Sequence, residues 1–528
     1  MSGPSTNSSD VAARDDAHLR SLGIKPELQR RLGFLSNFAV AFSYISVSTG
    51  TYTLIALGLG VGGPAFIWSW PIIILGQTFV ALNFAELASH FPVAGSIYQW
   101  SKRLSNKTLG WFTGWFYFWA GVLTTTAVAA TVPLVLSSIF GFKLGDPSPI
   151  AALNNLIFWG LLTLISTTLI NAFGVRLLSI INNIGVGAEI LGMLVFAIIL
   201  LAVGRHQDLS VLTQTTGAET PETGGYLPVF AIAMFMSLFV VYGFDTAGTF
   251  GEETLDAGRQ APRGILSAIW LSGIIGFVFL LAIVLAIPDL TKSFTDPSPI
   301  DTSVRSGLGD TFGSVYLYVI LAAVYVCTMA IQGATTRLMF SMGRDRRMPL
   351  GSLWGHVNHS FKTPTNAAIA VGVLAALPFI VTDSPVLFAV GATGLIYLSY
   401  FLCNLGVLSA RTKGWPHKGA WFSLGSWGTI INILALIWGG AMIINFGLWS
   451  DSSLFGNFGS DLRDLTNPSL TALTSGGKTI SFLPDIPFFE ASILLILIGG
   501  AVYYLATGQG RKVDQVEADL ATGEAVIA

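Results

Sequence analysis

Long apolar segments separated by short polar ones set the pattern of this chain. They cover residues 34–59, 64–89, 110–139, 150–172, 180–204, 227–251, 264–288, 311–341, 365–382, 385–410, 422–447 and 487–507. A helix of about 20 residues crosses the hydrocarbon of a bilayer, and these segments have that length. They also carry very few of the charged positions that the surface of a soluble helix needs. The pattern predicts an all-α polytopic membrane protein with twelve spans.

Two of these spans are interrupted near the middle by small and polar residues. The first contains Ser46-Val47-Ser48-Thr49-Gly50, and the sixth contains Tyr242-Gly243-Phe244-Asp245-Thr246-Ala247-Gly248. Lipid offers no hydrogen bonds, so a helix that unwinds there must give its freed backbone groups to protein, water or a ligand. Paired interruptions at corresponding places in two halves indicate the binding site of a secondary transporter.

The interrupted spans also define an internal repeat. Each one begins a group of five spans, residues 34–204 and 227–410. Because five is an odd number, the second group enters the membrane from the opposite side. The sequence therefore predicts a LeuT-type 5+5 inverted repeat, with two extra helices at 422–447 and 487–507.

Composition and charge support a membrane location and suggest an orientation. Hydrophobic residues make up 52% of the chain and charged residues 11%, about half the usual charged share. Basic residues concentrate in alternate loops, which by the positive-inside rule face the cytoplasm together with both termini. We expect disordered cytoplasmic tails at 1–30 and 508–528 around a transporter domain at 31–507. The net charge of −2 says nothing about nucleic acid. We expect lipid and a small-molecule substrate as partners, and no nucleic acid.

Three further segments resemble, in order, the motifs of one transporter family. They are FPVAGSIYQW at 91–100, GFDTAGTFGEETLDAGRQAPRG at 243–264 and SMGRDRRMP at 341–349. The chain resembles the amino acid–polyamine–organocation permeases, especially the branch that holds bacterial amino acid permeases and fungal GABA and choline permeases. The resemblance implies a permease of the plasma or inner membrane that carries amino acids or a related small amine such as GABA.

The first interruption is a candidate site for a carboxylate. Unwinding exposes N–H groups at the start of the outer half-helix, where the helix dipole is positive. We predict that Ser46, Ser48, Thr49 and Gly50 bind the substrate there. The family usually has Gly where this chain has Ser48, which leaves room for a differently shaped substrate. The alternative is a Ser/Thr-rich kink that binds nothing.

The break in the sixth span favours a positive charge on the substrate. The carbonyls of Val240, Val241 and Tyr242 end its first half, and Gly243 follows them, so an ammonium group is favoured at this helix end. The resemblance places Phe239 as an aromatic gate over the substrate. Ordinary packing of Phe239 is the alternative.

Two acidic residues lie inside apolar spans and away from the span ends. An ionised carboxylate near the bilayer centre costs about 2.5–3.5 kcal/mol on insertion scales, so Asp245 and Glu189 are candidates for function. The resemblance implies a proton-responsive role for Asp245; the alternative is a cap on the second half-helix. We hypothesise that Glu189 takes part in coupling by carrying a proton or helping to hold Na⁺. A neutral acid bonded to a neighbouring helix is the alternative.

Charged residues near the inner ends of the spans form a predicted inner gate. Its members are Glu252, Glu253, Arg259, Arg344 and Asp345. We expect ion pairs among them that break when the cytoplasmic side opens.

The sequence shows no nucleotide or metal motif. The chain has no Walker loop, and its six His residues provide no three-ligand cluster, so we expect no cofactor, no metal and no enzymatic activity. The function indicated is secondary active transport by alternating access, driven by H⁺, Na⁺ or exchange. Two alternatives remain open: a choline, polyamine or organic-cation permease of the same fold, and a channel or non-transporting sensor.

Overall fold

The computed structural model describes residues 8–144, 155–173, 175–217, 219, 225–416, 420–447, 474–475, 478–479 and 488–510. Within these residues, the α-helices are α1 (Ser8–Ser21), α2 (Phe34–Ile45), α3 (Val47–Gly62), α4 (Ser69–His90), α5 (Ser96–Leu104), α6 (Lys107–Phe140), α7 (Leu156–Phe173), α8 (Val175–Val203), α9 (Tyr226–Ala233), α10 (Phe235–Val240), α11 (Thr246–Thr249), α12 (Ala257–Leu285), α13 (Leu290–Ser293), α14 (Pro299–Arg344), α15 (Gly351–Trp354), α16 (Thr365–Ala376), α17 (Pro385–Arg411), α18 (Gly428–Gly447) and α19 (Phe488–Ala506). Two short strands, β1 (Thr474–Ser475) and β2 (Lys478–Thr479), pair antiparallel.

The predicted spans are confirmed as helices. In the part of the chain that the structure describes, ten helical segments are long and apolar enough to cross a membrane, and two shorter apolar ones, Tyr226–Val240 and Thr365–Ile380, account for the sixth and ninth spans. Local sequence sets several of their ends. Asn106 and Ser384 cap α6 and α17 by accepting hydrogen bonds from the N–H groups of Leu109 and Leu387, and Gly141 ends α6 in a left-handed conformation.

The first and sixth spans are broken, as predicted. The first is interrupted at Ser46, which has φ 30° and ψ 85°. The sixth loses helical structure from Val241 to Asp245, where Gly243 has φ 85°. Each broken span is followed by four more, which is the 5+5 arrangement that the sequence predicts.

The broken spans lie at the centre of the bundle and the extra helices lie outside. The apolar window of the first span is 83% buried, whereas that of α19 is 17% buried. Around the centre, α6 packs along α14 and α17, and α4 packs along α12. Both halves of the first span pack among the helices of the bundle. Helix α2 contacts α8, α12 and α14, and helix α3 contacts α6, α10 and α14.

The N-terminal segment differs from the prediction of a disordered tail. Residues 8–30 are ordered, and α1 lies against the end of the bundle where α2 begins, which we call the N-terminal end. The Arg14 Nη2 atom lies 2.6 Å from the Asp256 carboxylate, and Leu19 and Ile24 pack on Val93. Two apolar side chains and a few ion pairs are enough to dock a helix whose composition is otherwise polar. Residues 511–528 of the predicted C-terminal tail lie outside the described residues.

A buried ion pair joins helices of the two repeats at the same end. The Arg411 guanidinium, at the end of α17, pairs with the Glu86 carboxylate on α4, and both side chains are almost fully buried. The Glu86 Oε1 atom also accepts hydrogen bonds from the Leu424 N–H at 2.8 Å and the Ser423 hydroxyl at 3.0 Å. Glu86 therefore ties α4, α17 and the segment before α18 together.

Arg411→Leu is expected to lower the free energy of unfolding by about 3–5 kcal/mol, because it leaves the Glu86 carboxylate buried and uncompensated. Replacing both partners in Glu86→Leu/Arg411→Leu should recover much of that loss. Thermal unfolding in detergent measures the change. Lys413→Leu, which removes an exposed basic residue two positions away, is the matched control, and equal destabilisation by that variant would contradict this account.

Candidate functional site

The two breaks lie directly against each other in the centre of the bundle. A Cβ atom on Gly50 would lie 2.6 Å from Val240 Cγ2, and a Cβ on Gly243 would overlap the Tyr44 ring. A larger side chain would therefore overlap its neighbour at both places, and at Gly243 the positive φ also favours glycine. The structure brings together the interruptions that the sequence singled out.

A small cavity lies between the breaks, with walls from four spans. Its volume is about 10 Å³, which is room for about one water molecule. The Tyr242 ring lies 6.1 Å from the Tyr44 ring and 5.9 Å from the Phe239 ring, measured between centroids, and these side chains occupy the remaining space. This is a closed conformation, and a ligand enters only if the aromatic rings move. Among its lining residues are Tyr44, Thr49, Gly50, Phe239, Tyr242 and Cys327.

The first break is narrower than the sequence suggests. Helix α3 begins at Val47, and the Gly50 N–H donates to the Ser46 carbonyl at 3.0 Å. The Ser48 N–H points out of the helix and donates to Glu189 Oε1 at 3.3 Å. In this closed conformation, the Gly50 amide is therefore used within the helix and does not face a substrate.

A carboxylate from α8 occupies the first break. Glu189 Oε1 accepts hydrogen bonds from the Ser48 hydroxyl at 2.7 Å and the Ser46 hydroxyl at 2.8 Å, in addition to the Ser48 amide. The Glu189 side chain is 2% exposed. Among the described residues, no basic side chain bonds to it. The position where a substrate carboxylate was predicted is thus held by an acid of the chain itself, at a helix start that favours negative charge.

Asp245 is held by hydroxyl groups rather than by a cation. Its carboxylate accepts hydrogen bonds from Tyr117 at 2.6 Å, Tyr400 at 2.6 Å and Ser96 at 2.9 Å. It makes no side-chain cap on α11, so the capping alternative is not what the structure shows. The Tyr400 oxygen also accepts the Gly243 N–H at 2.9 Å. Asp245 therefore fixes the second break to α5, α6 and α17.

The three hydroxyl donors to Asp245 were not predicted from the sequence. Tyr117 and Tyr400 lie in apolar spans and Ser96 lies in the segment before α6. Their only signal is a polar group inside a hydrophobic run, which many membrane helices share.

Only some of the backbone carbonyls at the second break accept hydrogen bonds. The Val240 carbonyl accepts the Tyr242 N–H at 3.1 Å and the Gly243 carbonyl accepts the Thr246 N–H at 3.0 Å. The carbonyls of Val241 and Tyr242 accept no hydrogen bond from the residues that the structure describes. Two of the three carbonyls predicted to favour a cation thus keep free lone pairs, and one of them belongs to Tyr242, which lines the cavity.

The N-terminal end of the bundle is closed by two bidentate ion pairs. Arg344 contacts the Glu252 carboxylate at 2.9 and 3.0 Å. Arg337 contacts Glu253 at 2.7 and 3.1 Å and lies 4.1 Å above the Phe250 ring. Both pairs join the end of the sixth span to α14. The predicted gate includes Glu252, Glu253 and Arg344. It omits Arg337, because Arg337 lies within a predicted apolar span.

Asp345 forms a second cluster at this end. Its carboxylate lies 2.6 Å from Lys102 Nζ and accepts the Tyr98 hydroxyl at 2.8 Å and the Gln99 amide at 3.0 Å. Burial alone would raise the pKa of Asp345, but the positive charges of Lys102 and Arg344 outweigh it and hold the pKa below its ordinary value. The cluster therefore stays charged at physiological pH and joins α5 to α14.

Contrary to the prediction, Arg259 does not take part in these ion pairs. Its guanidinium lies 5.6 Å from the centre of the Trp421 ring, a cation–π contact, instead of against Glu252 or Glu253. Helix α12 begins at Ala257 and turns the side chain of Arg259 towards the segment before α18. The ion pairs at this end therefore include Arg337, which was not predicted, and do not include Arg259, which was.

Comparison with known proteins identifies the family. The profile described as amino acid permease matches residues 32–457. The chain belongs to this family. An amino-acid permease BAT1 homolog of Oryza sativa subsp. japonica is 30% identical, with 82% of this chain and 87% of the rice protein aligned. Amino-acid permease BAT1 of Arabidopsis thaliana is 28% identical, with 81% and 87% aligned. The chain is therefore a permease and not an enzyme.

A solved structure supports the fold. The crystal structure of MhsT in complex with L-phenylalanine superposes with a TM-score of 0.57 at 17% sequence identity, covering 79% of this chain and 99% of MhsT. At that identity the comparison establishes the shared LeuT-type fold alone.

Gly50→Ala is expected to reduce transport by this permease at least about tenfold, because the added methyl group overlaps Val240, an overpacking worth about 1–3 kcal/mol. Val240→Ala removes the opposing atoms, so the double variant Gly50→Ala/Val240→Ala should recover transport. Uptake normalised to protein in the membrane measures both. A double variant as impaired as Gly50→Ala would show that the close approach of the two breaks is not what matters.

Proposed function

We propose that this permease is a secondary active transporter of amino acids, including small relatives such as GABA, that works by alternating access. The observation that carries the proposal is the meeting of two broken helices at a closed central cavity. The family, and relatives named amino-acid permeases, support the substrate class. The substrate lies between the breaks after the rings of Tyr44, Phe239 and Tyr242 move apart.

The charges at the breaks suggest how a zwitterion is held. Its ammonium group is placed at the carbonyls of Val241 and Tyr242, at the end of a half-helix where a cation is favoured. Its carboxylate is placed at the start of α3, next to Ser48 and Thr49. That position offers few hydrogen-bond donors. In the closed conformation, the Ser46 and Ser48 hydroxyls already donate to Glu189.

Competition for those donors provides a basis for proton coupling. A substrate carboxylate and an ionised Glu189 carboxylate repel each other at the same helix start. A protonated Glu189 removes the repulsion and needs fewer donors, so the substrate binds together with one proton. A Na⁺ ion beside Glu189 would neutralise the same charge and is the alternative coupling ion.

Opening towards the cytoplasm requires the ion pairs of the N-terminal end to separate. We place this end on the cytoplasmic side of the plasma or inner membrane, because basic residues concentrate there. Glu252 and Glu253 follow the second break, whereas Arg337 and Arg344 lie on α14. A rocking movement of the first, second, sixth and seventh spans against the others breaks both pairs at once.

One observation favours a second substrate class. Glu189 occupies the anion position at the first break, and Asp245 adds a second acid nearby in the bundle. Both suit a purely cationic substrate such as choline or a polyamine. A putative polyamine transporter of Candida albicans is 24% identical, with 83% of this chain aligned.

Counterflow by the purified protein in proteoliposomes tests the function. Vesicles loaded with unlabelled candidates are expected to accumulate labelled amino acid when the interior holds amino acids or GABA, and not when it holds choline or putrescine. Labelled choline or putrescine that accumulates against its own unlabelled pool, in vesicles that do not accumulate labelled amino acid, would favour the second class. No counterflow of any labelled candidate would contradict transport, because a channel only equilibrates its substrate and a sensor moves none.

Glu189→Gln is expected to abolish amino acid accumulation driven by a pH gradient while leaving counterflow intact. Glutamine keeps a polar side chain at Ser46 and Ser48 but cannot release a proton, so the loaded carrier still exchanges. Uptake under an imposed pH gradient, with and without Na⁺, measures the effect. Asp208→Asn, a carboxyl that is 93% exposed on a loop, is the control. Gradient-driven uptake at the wild-type rate in Glu189→Gln would exclude a coupling role.

A further inference from the structure

Helices α2 and α8 are bridged by polar side chains at two depths. Near the N-terminal end, the Asn183 amide donates to the Ser36 hydroxyl at 2.9 Å, and the Ser179 hydroxyl lies 3.4 Å from the same atom. At the first break, Glu189 accepts from the Ser46 hydroxyl at 2.8 Å. The two helices therefore share a polar seam that runs from one end of the bundle to its centre.

Unsatisfied polar groups occur on both helices, at Asn182 beside the first bridge and at Ser43 close to the second. The Ser43 hydroxyl and both polar atoms of the Asn182 amide are buried, with no hydrogen-bond partner among the described residues. Each of these side chains is 1% exposed. Buried polar groups of this kind normally have a protein or water partner. Three such atoms, on two helices that contact each other within a membrane bundle, indicate water molecules between the helices.

Helical spacing aligns these groups with the two bridges. Ser43 follows Ser36 by one heptad and precedes Ser46 by three residues, so the three lie along one side of α2. Asn182 precedes Glu189 by one heptad on α8, which places both on the same face, about 10 Å apart along the axis. A few water molecules bridge such a distance.

We propose that α2 and α8 enclose a water-filled proton path that connects Glu189 with the N-terminal end of the bundle, with Ser43 and Asn182 as the positioning residues for its waters. The proposal rests on the proton coupling proposed above. A proton that leaves the Glu189 carboxyl passes to the nearest water, and one proton leaves the chain of waters near Ser36, so protons are neither gained nor lost. The path runs on the α8 side of the first break.

The substrate cavity lies on the other side of the same break. Gly50 faces Val240 of the sixth span, whereas the Ser46 and Ser48 hydroxyls face α8. The ionisable side chains close to Glu189 include Tyr316 and Cys327 of α14. A proton from the N-terminal end therefore reaches Glu189 from the α8 side of the break, whereas Gly50 faces the sixth span.

The test measures proton flux and substrate exchange separately in the full-length protein. Proteoliposomes hold a trapped pH-sensitive dye, and the amino acid with the strongest counterflow drives transport. Asn182→Leu is expected to reduce substrate-driven proton flux about tenfold, with counterflow at the wild-type rate, since exchange of the loaded carrier needs no proton release. Asn182→Ser, which keeps a polar atom and leaves room for water, should restore most of the flux.

Ser43→Ala is the milder second variant and is expected to lower the proton flux about threefold. Its matched control is Thr51→Val, which also removes a buried hydroxyl without a partner from the first span, but beyond the break. Size-exclusion profiles and counterflow report folding. If Asn182→Leu does not fold, Ser43→Ala decides the outcome.

Unchanged proton flux in these variants would overturn the path. A parallel loss of flux and counterflow in folded protein would overturn it as well, because the groups would then serve the substrate site. Transport by the wild type that moves no protons would instead remove the proposed coupling, and the path with it. Absence of counterflow in the wild type would mark failure of the transport function itself.

Discussion

The structure depends on how backbone groups freed inside a bilayer find partners. Where the first and sixth spans stop being helical, no lipid group can replace the lost hydrogen bonds. The Ser48 N–H is paired with Glu189 and the Gly243 N–H with Tyr400. Both partners come from spans of the surrounding scaffold. The breaks are therefore stable only within this bundle, and the same contacts position them against each other.

The two buried acids meet this requirement in different ways. Glu189 approaches a helix start, where the dipole favours its negative charge, and touches α3 directly. Asp245 accepts hydrogen bonds from three hydroxyl groups of other spans and of α5. The first acid is thus in a position to respond to a ligand between the breaks. The second anchors the sixth span to helices that form the scaffold.

Much of the fold could be predicted from the sequence because a bilayer imposes a length on each span. The breaks at Ser46 and Gly243 were visible because glycine and serine interrupt otherwise apolar segments. The width of the first break was not visible, since Val47 to Gly50 are compatible with helix once a neighbour satisfies the Ser48 N–H. Docking of the N-terminal segment was missed because Leu19 and Ile24 are too sparse to form a pattern.

The meeting of the two breaks was predicted, but the partners of the side chains around them were not. Which residue meets Glu189, Asp245 or Glu253 depends on the rotation of whole helices against each other. That rotation follows from packing of the complete bundle and leaves no local pattern. Arg337 and Arg259 illustrate this, because both are basic residues near the same end and only the first turns towards an acid.

The docked N-terminal helix has a practical consequence. Besides the salt bridge to Asp256, the His18 ring lies 3.1 Å from the His90 carbonyl, and Arg103 of α5 donates to the Leu22 carbonyl at 3.1 Å. The segment thus crosses from the loop after the sixth span to α5. A fluorophore or fiducial protein fused rigidly ahead of α1 would be held beside the ion pairs of the N-terminal end. A change in its tilt would then report the opening of that end.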